Sequence, residues 1–499
     1  MNLTSSYFFL LLLFSTVCFY LFQKKQKAVL LVTSIMFFVC AMKFDMKYVI
    51  ELVLIIIATW LGGIFIGRSK GCLRTLFAAI TVGLLVLGLV VLKYLCNVGT
   101  LFFRLMSIDV DLSFLEFIAP IGMSYFTLSA IGYVLDVFWE SYDPVKNPVD
   151  VALFIMFFPQ LVSGPVTRMP EMIEQFNARH SLDWDGIKYS LRRMLFGYFK
   201  KLVIADRLGI IVRLLYKNPL EQDGCLLFTA TLFYALQLYA DFSGCMDIIL
   251  GSAHLYGISL PENFDAPFMS RSVPEFWRRW HISLGNWFRD YVMYPVQKSR
   301  VVQRLGHHAV KHLGKKKGRK IPFYFATLVL WALIGLWHGG TSYYFMASAI
   351  LPCVYLLGSD FVSPIAEFLV KTCRVNTECW SWRFFQRLRT FFILLSCWVF
   401  VNTISVRKGI VAIKRMFFDL NLTHLKFSAL DLNLKTAAIL AVGLGIMLFA
   451  DVLKNRKKNL YVWMNEQNAV FRGCAIYAEM ILIVLFGVFA DSSFIYFKF

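Results

Sequence analysis

Long apolar runs, repeated along most of the chain, constrain this sequence more than any other feature. The stretches "YFFLLLLFSTVCFYLF" at 7–22, "YVIELVLIIIATWLGGIFIG" at 48–67 and "TLFAAITVGLLVLGLVVL" at 75–92 hold one charged side chain among them, Glu51. Each approaches the roughly 20 residues that a helix needs to cross a hydrocarbon layer. Only 16% of residues are charged and mean hydropathy is +0.63, whereas soluble proteins carry about a quarter charged residues. These runs predict an all-α, polytopic integral membrane protein with about eleven to thirteen transmembrane or re-entrant helices. The first run follows "MNLTSS", without a basic n-region before it or a small-residue cleavage site after it. It reads as a retained helix and not as a signal peptide.

Fifty-one Lys and Arg stand against 31 Asp and Glu, a formal net charge of +20. The basic residues sit between apolar runs, where they mark cytoplasmic loops, so nucleic-acid binding is not expected. The densest segment, 297–320, has nine Lys or Arg and no acid, and "KNRKK" follows at 454–458. Both are read as cytoplasmic, attracted to anionic lipid headgroups or offering a landing surface to an acidic acyl donor or carrier. Eleven scattered cysteines show no CxxC pair, and there is no HExxH, P-loop or Rossmann glycine pattern. Neither a disulfide framework nor a metal site is expected.

Three polar elements interrupt the apolar background. The first is "EFWRRWHISLGNWFRDY" at 275–291. On a helical wheel, Trp277, Trp280, His281, Leu284, Trp287, Phe288 and Tyr291 fall on one arc, and Arg278, Arg279, Ser283, Asn286, Arg289 and Asp290 on the other. One continuous helix of this kind lies near a membrane–water interface or tucks under a bundle, as an anchor with a buried histidine or as part of a site. The second is His338 in "FATLVLWALIGLWHGGTSYYF". An ionisable group in such a run is costly and points to function. Gly335 and Gly339 form a GxxxG pair suited to close packing, and Gly339–Gly340 allow the helix to end just beyond the histidine. The third is "YADFSGCMDIILGSAHLYG" at 239–257, where Asp241, Ser243 and Asp247 form a buried hydrogen-bond network, orient a catalytic base or line a substrate path. Asp247 and His254, seven apart, share a helix face.

The stretch "PENFDAPFMSRSVPEFWRRWHISLGNWFRDYVMYPV", followed by "GLWHGG", resembles the signature of the membrane-bound O-acyltransferase family, in the bacterial branch that includes alginate-type O-acetyltransferases, peptidoglycan O-acetyltransferases and teichoic-acid D-alanyl transferases. "PIGMSYFTLSAIGYVLDVF", "FFPQLVSGPVTR", "GYFKKLVIADRLG", "YADFSG" and the terminal "FIYFKF" are similar to further family blocks in family order. The "FKKLVIADRL" block leans towards the alginate type, while "VFVNT" at 399–403 stands where that branch usually has "FFRA". The resemblance covers residues 115–499 as a catalytic core with a central funnel, preceded by generic transmembrane helices at 1–114.

This resemblance implies an acyltransferase of the bacterial cytoplasmic membrane. Its co-substrate is a cytoplasmic acyl thioester, acetyl-CoA or an acyl carrier protein, with no tightly bound cofactor. The acceptor is a hydroxyl of an extracytoplasmic glycan, reached with the help of an extracytoplasmic partner protein. The catalytic histidine of the "WHG" motif carries over to His338, beside Trp337, and the second histidine to His281. The expected roles are a general base for His338 and, for His281 with Trp280, Arg278 and Arg279, placement of the thioester or stabilisation of its oxyanion. D-alanyl transfer to teichoic acid is the neighbouring alternative. A transporter should show an internal repeat with broken helices, which is not apparent in the sequence. A non-catalytic scaffold of a glycan-modifying complex is the remaining alternative.

Overall fold

A computed structural model describes residues 2–105, 120–424, 426–489 and 494–495. The boundary expected at 114/115 and residues 496–499 of the terminal block lie outside the described residues. Helices dominate, and the only β-type pairing among the described residues is an isolated antiparallel bridge between Phe264 and Trp280.

Among the described residues, seven helices are long and apolar enough to cross a membrane: Met46–Arg68, Gly71–Lys93, Gly224–His254, Ser342–Thr372, Trp380–Thr403, Leu434–Asn455 and Ala469–Phe486. Two bent pairs, Ser6–Leu21 with Gln23–Ala41 at 106° and Arg300–Gly318 with Ile321–Trp337 at 89°, raise the number to nine if each is one span. The other apolar segments form shorter helices such as Met123–Phe138. Polar caps mark many helix starts: the Ser5 hydroxyl accepts from the Phe8 amide, Asp45 from Lys47, and Asn433 from Thr436. Outward-facing Leu10, Leu13, Phe14, Leu84 and Leu87 are exposed, as lipid-facing side chains are.

The described residues cluster into two compact units. The first holds the N-terminal residues to Met194 with Met246–Pro261. Its core is aromatic: Tyr256 packs edge-on to Phe19 and Phe158 and hydrogen-bonds Ser15 at 2.6 Å. Arg193 pairs with Asp247 at 3.0 Å, and Ser190 meets the His254 ring at 2.9 Å, so the face shared by Asp247 and His254 is turned to one helix, Trp184–Tyr198. The second unit, Leu195–Cys245 with Glu262–Ile495, contains both "WRRWH" and "WHG".

The basic stretch 297–320, read as a cytoplasmic segment between apolar runs, is mostly helical, Arg300–Gly318, capped by Ser299. Its Arg, Lys, Gln, Leu and Ala residues favour helix, and it is interrupted at Gly314, whose φ of +78° only glycine adopts without strain.

Candidate active site

The segment around His281 is built from a local signal and a distant one. Locally, "SVPE" is a capping motif: Ser272 accepts from the Glu275 amide at 3.3 Å and starts the helix Val273–Arg279. That helix does not continue, so the single amphipathic helix expected over 275–291 is corrected to two short helices, Val273–Arg279 and Ile282–Phe288, followed by a π-helical turn, Arg289–Met293. The cause is tertiary. The extended segment around Asn263–Asp265 competes for the backbone: the Asp265 amide donates to Arg279 O at 3.0 Å, and the Ile282 amide to Asn263 O at 3.0 Å. The fully buried Asn263 side chain then caps the second helix by accepting from the Ser283 amide at 3.0 Å.

His281 is the residue at the break. Its φ of 49° and ψ of 52° are left-handed, a conformation that costs a non-glycine residue about 1–3 kcal/mol and clusters at functional sites. Its side chain is buried, edge-on to Phe242 at 4.8 Å between ring centroids, and 6.4 Å from Trp337. Trp280 turns elsewhere, into a cage of Phe264, Phe276 and Trp398.

His338 stands where Ile321–Trp337 ends. Gly339 at φ +124° and Gly340 at +65° reverse the chain, and the Gly340 amide returns to Gly335 O at 3.3 Å. A side chain on Gly335 would collide with Ala349 and Phe345, whereas one on Gly339 would meet nothing, so of the expected GxxxG pair only Gly335 serves close packing. The Trp337 and His338 rings are 4.9 Å apart, edge to face, which brings the two histidine turns together around Trp337. Burial, and after it repulsion from the His338 ring whenever that ring is protonated, push the His281 imidazole well below its ordinary value, so it stays neutral near pH 7. His338 Nδ1 lies 3.0 Å from Ile334 O. A carbonyl only accepts, so Nδ1 carries the proton, and Nε2 is the lone-pair nitrogen of the neutral ring.

The remaining expected residues divide. Arg279 is tied to Glu275 at 2.7 Å and to Asn455 at 2.8 Å, while Arg278 is exposed. Asn286 is half-buried. Asp241 and Ser243 flank Phe242, which packs on His281, yet their polar atoms serve two lysines that were not singled out from the sequence: Lys201 reaches Asp241 at 2.8 Å and Asp206 at 2.9 Å, and Lys200 donates to Ser243 at 3.0 Å. The Ile495 amide also donates to Asp241, and Phe494 lies under the Lys201 ammonium. Lys201 and Asp206 are five apart on the π-helix Phe199–Ala205 and its next residue, the spacing that a π-helix aligns and an α-helix does not. Two lysines inside an apolar run were the available signal.

Residues 140–401, more than half of the chain and including both histidines, match the model of MBOAT, the membrane-bound O-acyltransferase family. The chain is 31% identical over 348 residues to the probable alginate O-acetylase AlgI of Pseudomonas syringae, which covers 68% of this chain and 60% of that protein. It is 31% identical to a peptidoglycan O-acetyltransferase of Helicobacter pylori, over 45% of this chain and 44% of that one. To a teichoic acid D-alanyltransferase of Streptococcus thermophilus it is 30% identical, over 45% and 53%. These matches span between about two fifths and three fifths of the relatives' own lengths. The match over residues 140–401, which contain the "WRRWH" and "WHG" blocks, places this chain in the membrane-bound O-acyltransferase family.

Proposed function

We propose that this protein is an O-acyltransferase of the bacterial cytoplasmic membrane that moves an acyl group, acetyl above all, from a cytoplasmic thioester to hydroxyls of an extracytoplasmic cell-envelope polymer. The observation that carries the reading is the gathering of two histidine turns around Trp337, with His338 held in one tautomer by Ile334 O. A hydroxyl is a poor nucleophile until a base takes its proton, and Nε2 of His338 is oriented for that task. As the alkoxide forms its bond to the thioester carbonyl, the C–S bond breaks, and the thiolate leaves with the proton that His338 took up. His281, neutral and buried, positions the thioester or supports the oxyanion of the tetrahedral intermediate. Trp280, Arg278 and Arg279 act on the donor side of this centre, and Asp241 and Ser243 shape the wall behind Phe242. The names of the relatives favour an alginate-like or peptidoglycan acceptor for acetyl, with D-alanyl transfer to teichoic acid as the competing chemistry. The transfer implies a cytoplasmic acyl donor or carrier and an extracytoplasmic partner that completes delivery to the polymer.

The deciding experiment is mass spectrometry of cell-surface polymers from cells carrying wild-type or His338→Ala protein at matched membrane abundance. Loss of one acyl mass identifies the group and its acceptor; undiminished acylation removes His338 from the chemistry. The donor side is tested separately. A cysteine at Ser299, which caps the basic helix, should resist an impermeant thiol reagent in intact cells and react after permeabilisation.

A further inference from the structure

Next to the Trp280 turn, two segments distant in sequence bring arginines together. Arg271 and Arg279 bracket the helix Val273–Arg279; Arg383, Arg387 and Arg389 lie near the start of Trp380–Thr403. Arg389 donates to Arg271 O at 3.0 Å, and Arg387, partly desolvated, is under the repulsion of Arg271, Arg279 and Arg383, with Glu275 acting against them. The carboxylates are too few to balance them. Glu275 is occupied on both oxygens, by Arg279 at 2.7 Å and by the Arg271 amide at 2.9 Å, and Glu378 is taken by Arg383. Asp265, the next acid, is held by Lys457 at 3.1 Å. Five guanidiniums thus face two carboxylates, beside the "KNRKK" end of Leu434–Asn455, which Arg279 touches through Asn455.

Physical chemistry works against this arrangement if nothing compensates it. Arg383, in the first turn of its helix, opposes the helix dipole, and like charges held together add to that cost. The Arg387 side chain, moreover, has no hydrogen-bond acceptor among the described residues, and its Nε is buried, as is the Nε of Arg383. A buried N–H without an acceptor costs about 1–3 kcal/mol. Planar guanidiniums pair bidentately with phosphate as with carboxylate, and a phosphate offers a group of them more oxygens and more charge than one carboxylate does.

We infer that Arg271, Arg279, Arg383 and Arg387 form a binding site for phosphate groups, supplied by a nucleotide-type thioester cofactor or by a phospholipid headgroup. The chemistry of recognition is the same for both sources. The thioester-cofactor source rests on the acyl-transfer reading above, whereas phosphate binding itself is measured without reference to activity.

The test uses the full chain in nanodiscs, with the source of phosphate varied. In phosphatidylcholine discs, titration with free coenzyme A should show saturable binding that inorganic pyrophosphate displaces and that weakens with salt. In discs doped with phosphatidylglycerol, native mass spectrometry should count anionic lipids retained by the protein. Whichever source is used, Arg387→Gln and the exposed Arg271→Gln should each weaken the interaction, Arg387→Gln by roughly tenfold. Arg387→Lys should restore only part of it, because the charge returns without the planar fork. Arg179→Gln, exposed and outside both basic segments, removes the same charge elsewhere and should leave the interaction unchanged. Coenzyme A binding lost in the site variants assigns a soluble donor; phosphatidylglycerol retention lost in them assigns a lipid. If neither probe distinguishes wild type from both Arg271→Gln and Arg387→Gln, or if Arg179→Gln weakens binding equally, there is no such site. Because Arg271 is exposed, its variant keeps the test meaningful even if Arg387→Gln fails to insert.

Discussion

The turns that carry His338 and His281 both end a helix at a histidine, and they do so by opposite means. At His338 the stop is local: two glycines with positive φ follow, and the Gly340 amide returns to Gly335 O within one turn. At His281 no glycine or proline stands among the three residues that follow. The helix is interrupted because Asn263 and Asp265 supply backbone partners from outside it, and the histidine itself takes up the left-handed conformation. One turn is thus a property of its own sequence, and the other of its packing.

The comparison is tested most severely at the histidines. His338→Ala should lower polymer acylation by at least 100-fold, the lower bound for general-base catalysis, with little change in thermal stability because His338 is only half-buried at a helix end. Equal loss of activity and of folded protein would mean that the turn is structural. His281→Phe keeps bulk and aromatic contact with Phe242 but removes both ring nitrogens, and should also abolish most activity, whereas Ile282→Ala should stay within a few-fold of wild type. Near-normal acylation by the Phe variant would make His281 a packing residue.

Backbone strain separates the two turns further. His281→Asn, which tolerates left-handed φ, should be more stable than His281→Val by about 1–2 kcal/mol in thermal unfolding of the purified protein. Similar stability for the two would show that the left-handed turn is not enforced. Asn263→Ala strands the buried Ser283 amide and should cost about 1–3 kcal/mol while also lowering acylation, since the turn it holds contains His281. The smallest effect is expected at Gly339→Ala. The added methyl has open space but an unfavourable φ, for a cost of about 1 kcal/mol. Gly335→Ala, pressed on Ala349, should cost more than its neighbour. A reversed order would mean that the glycine turn, not the close helix contact, sets the position of His338.

Membrane insertion, helical class and the His338 turn were all legible in the sequence, because each depends on neighbours along the chain: an apolar run satisfies its own backbone as a helix, and glycine ends it where φ turns positive. The break at His281, the lysines on the π-helix and the arginine cluster were not. Their partners lie far off in sequence, as with Arg279 and Asn455, 176 residues apart, or Asp241 and Ile495, 254 apart. A helical wheel assumes that every backbone amide bonds within its own helix, so it placed His281 among the aromatic residues but could not show the chain unwinding there. Which side chains are chemically unusual is written in the sequence. Which of them meet is decided by folding, because a buried charge or an interrupted helix survives only where a distant segment supplies the missing hydrogen bond.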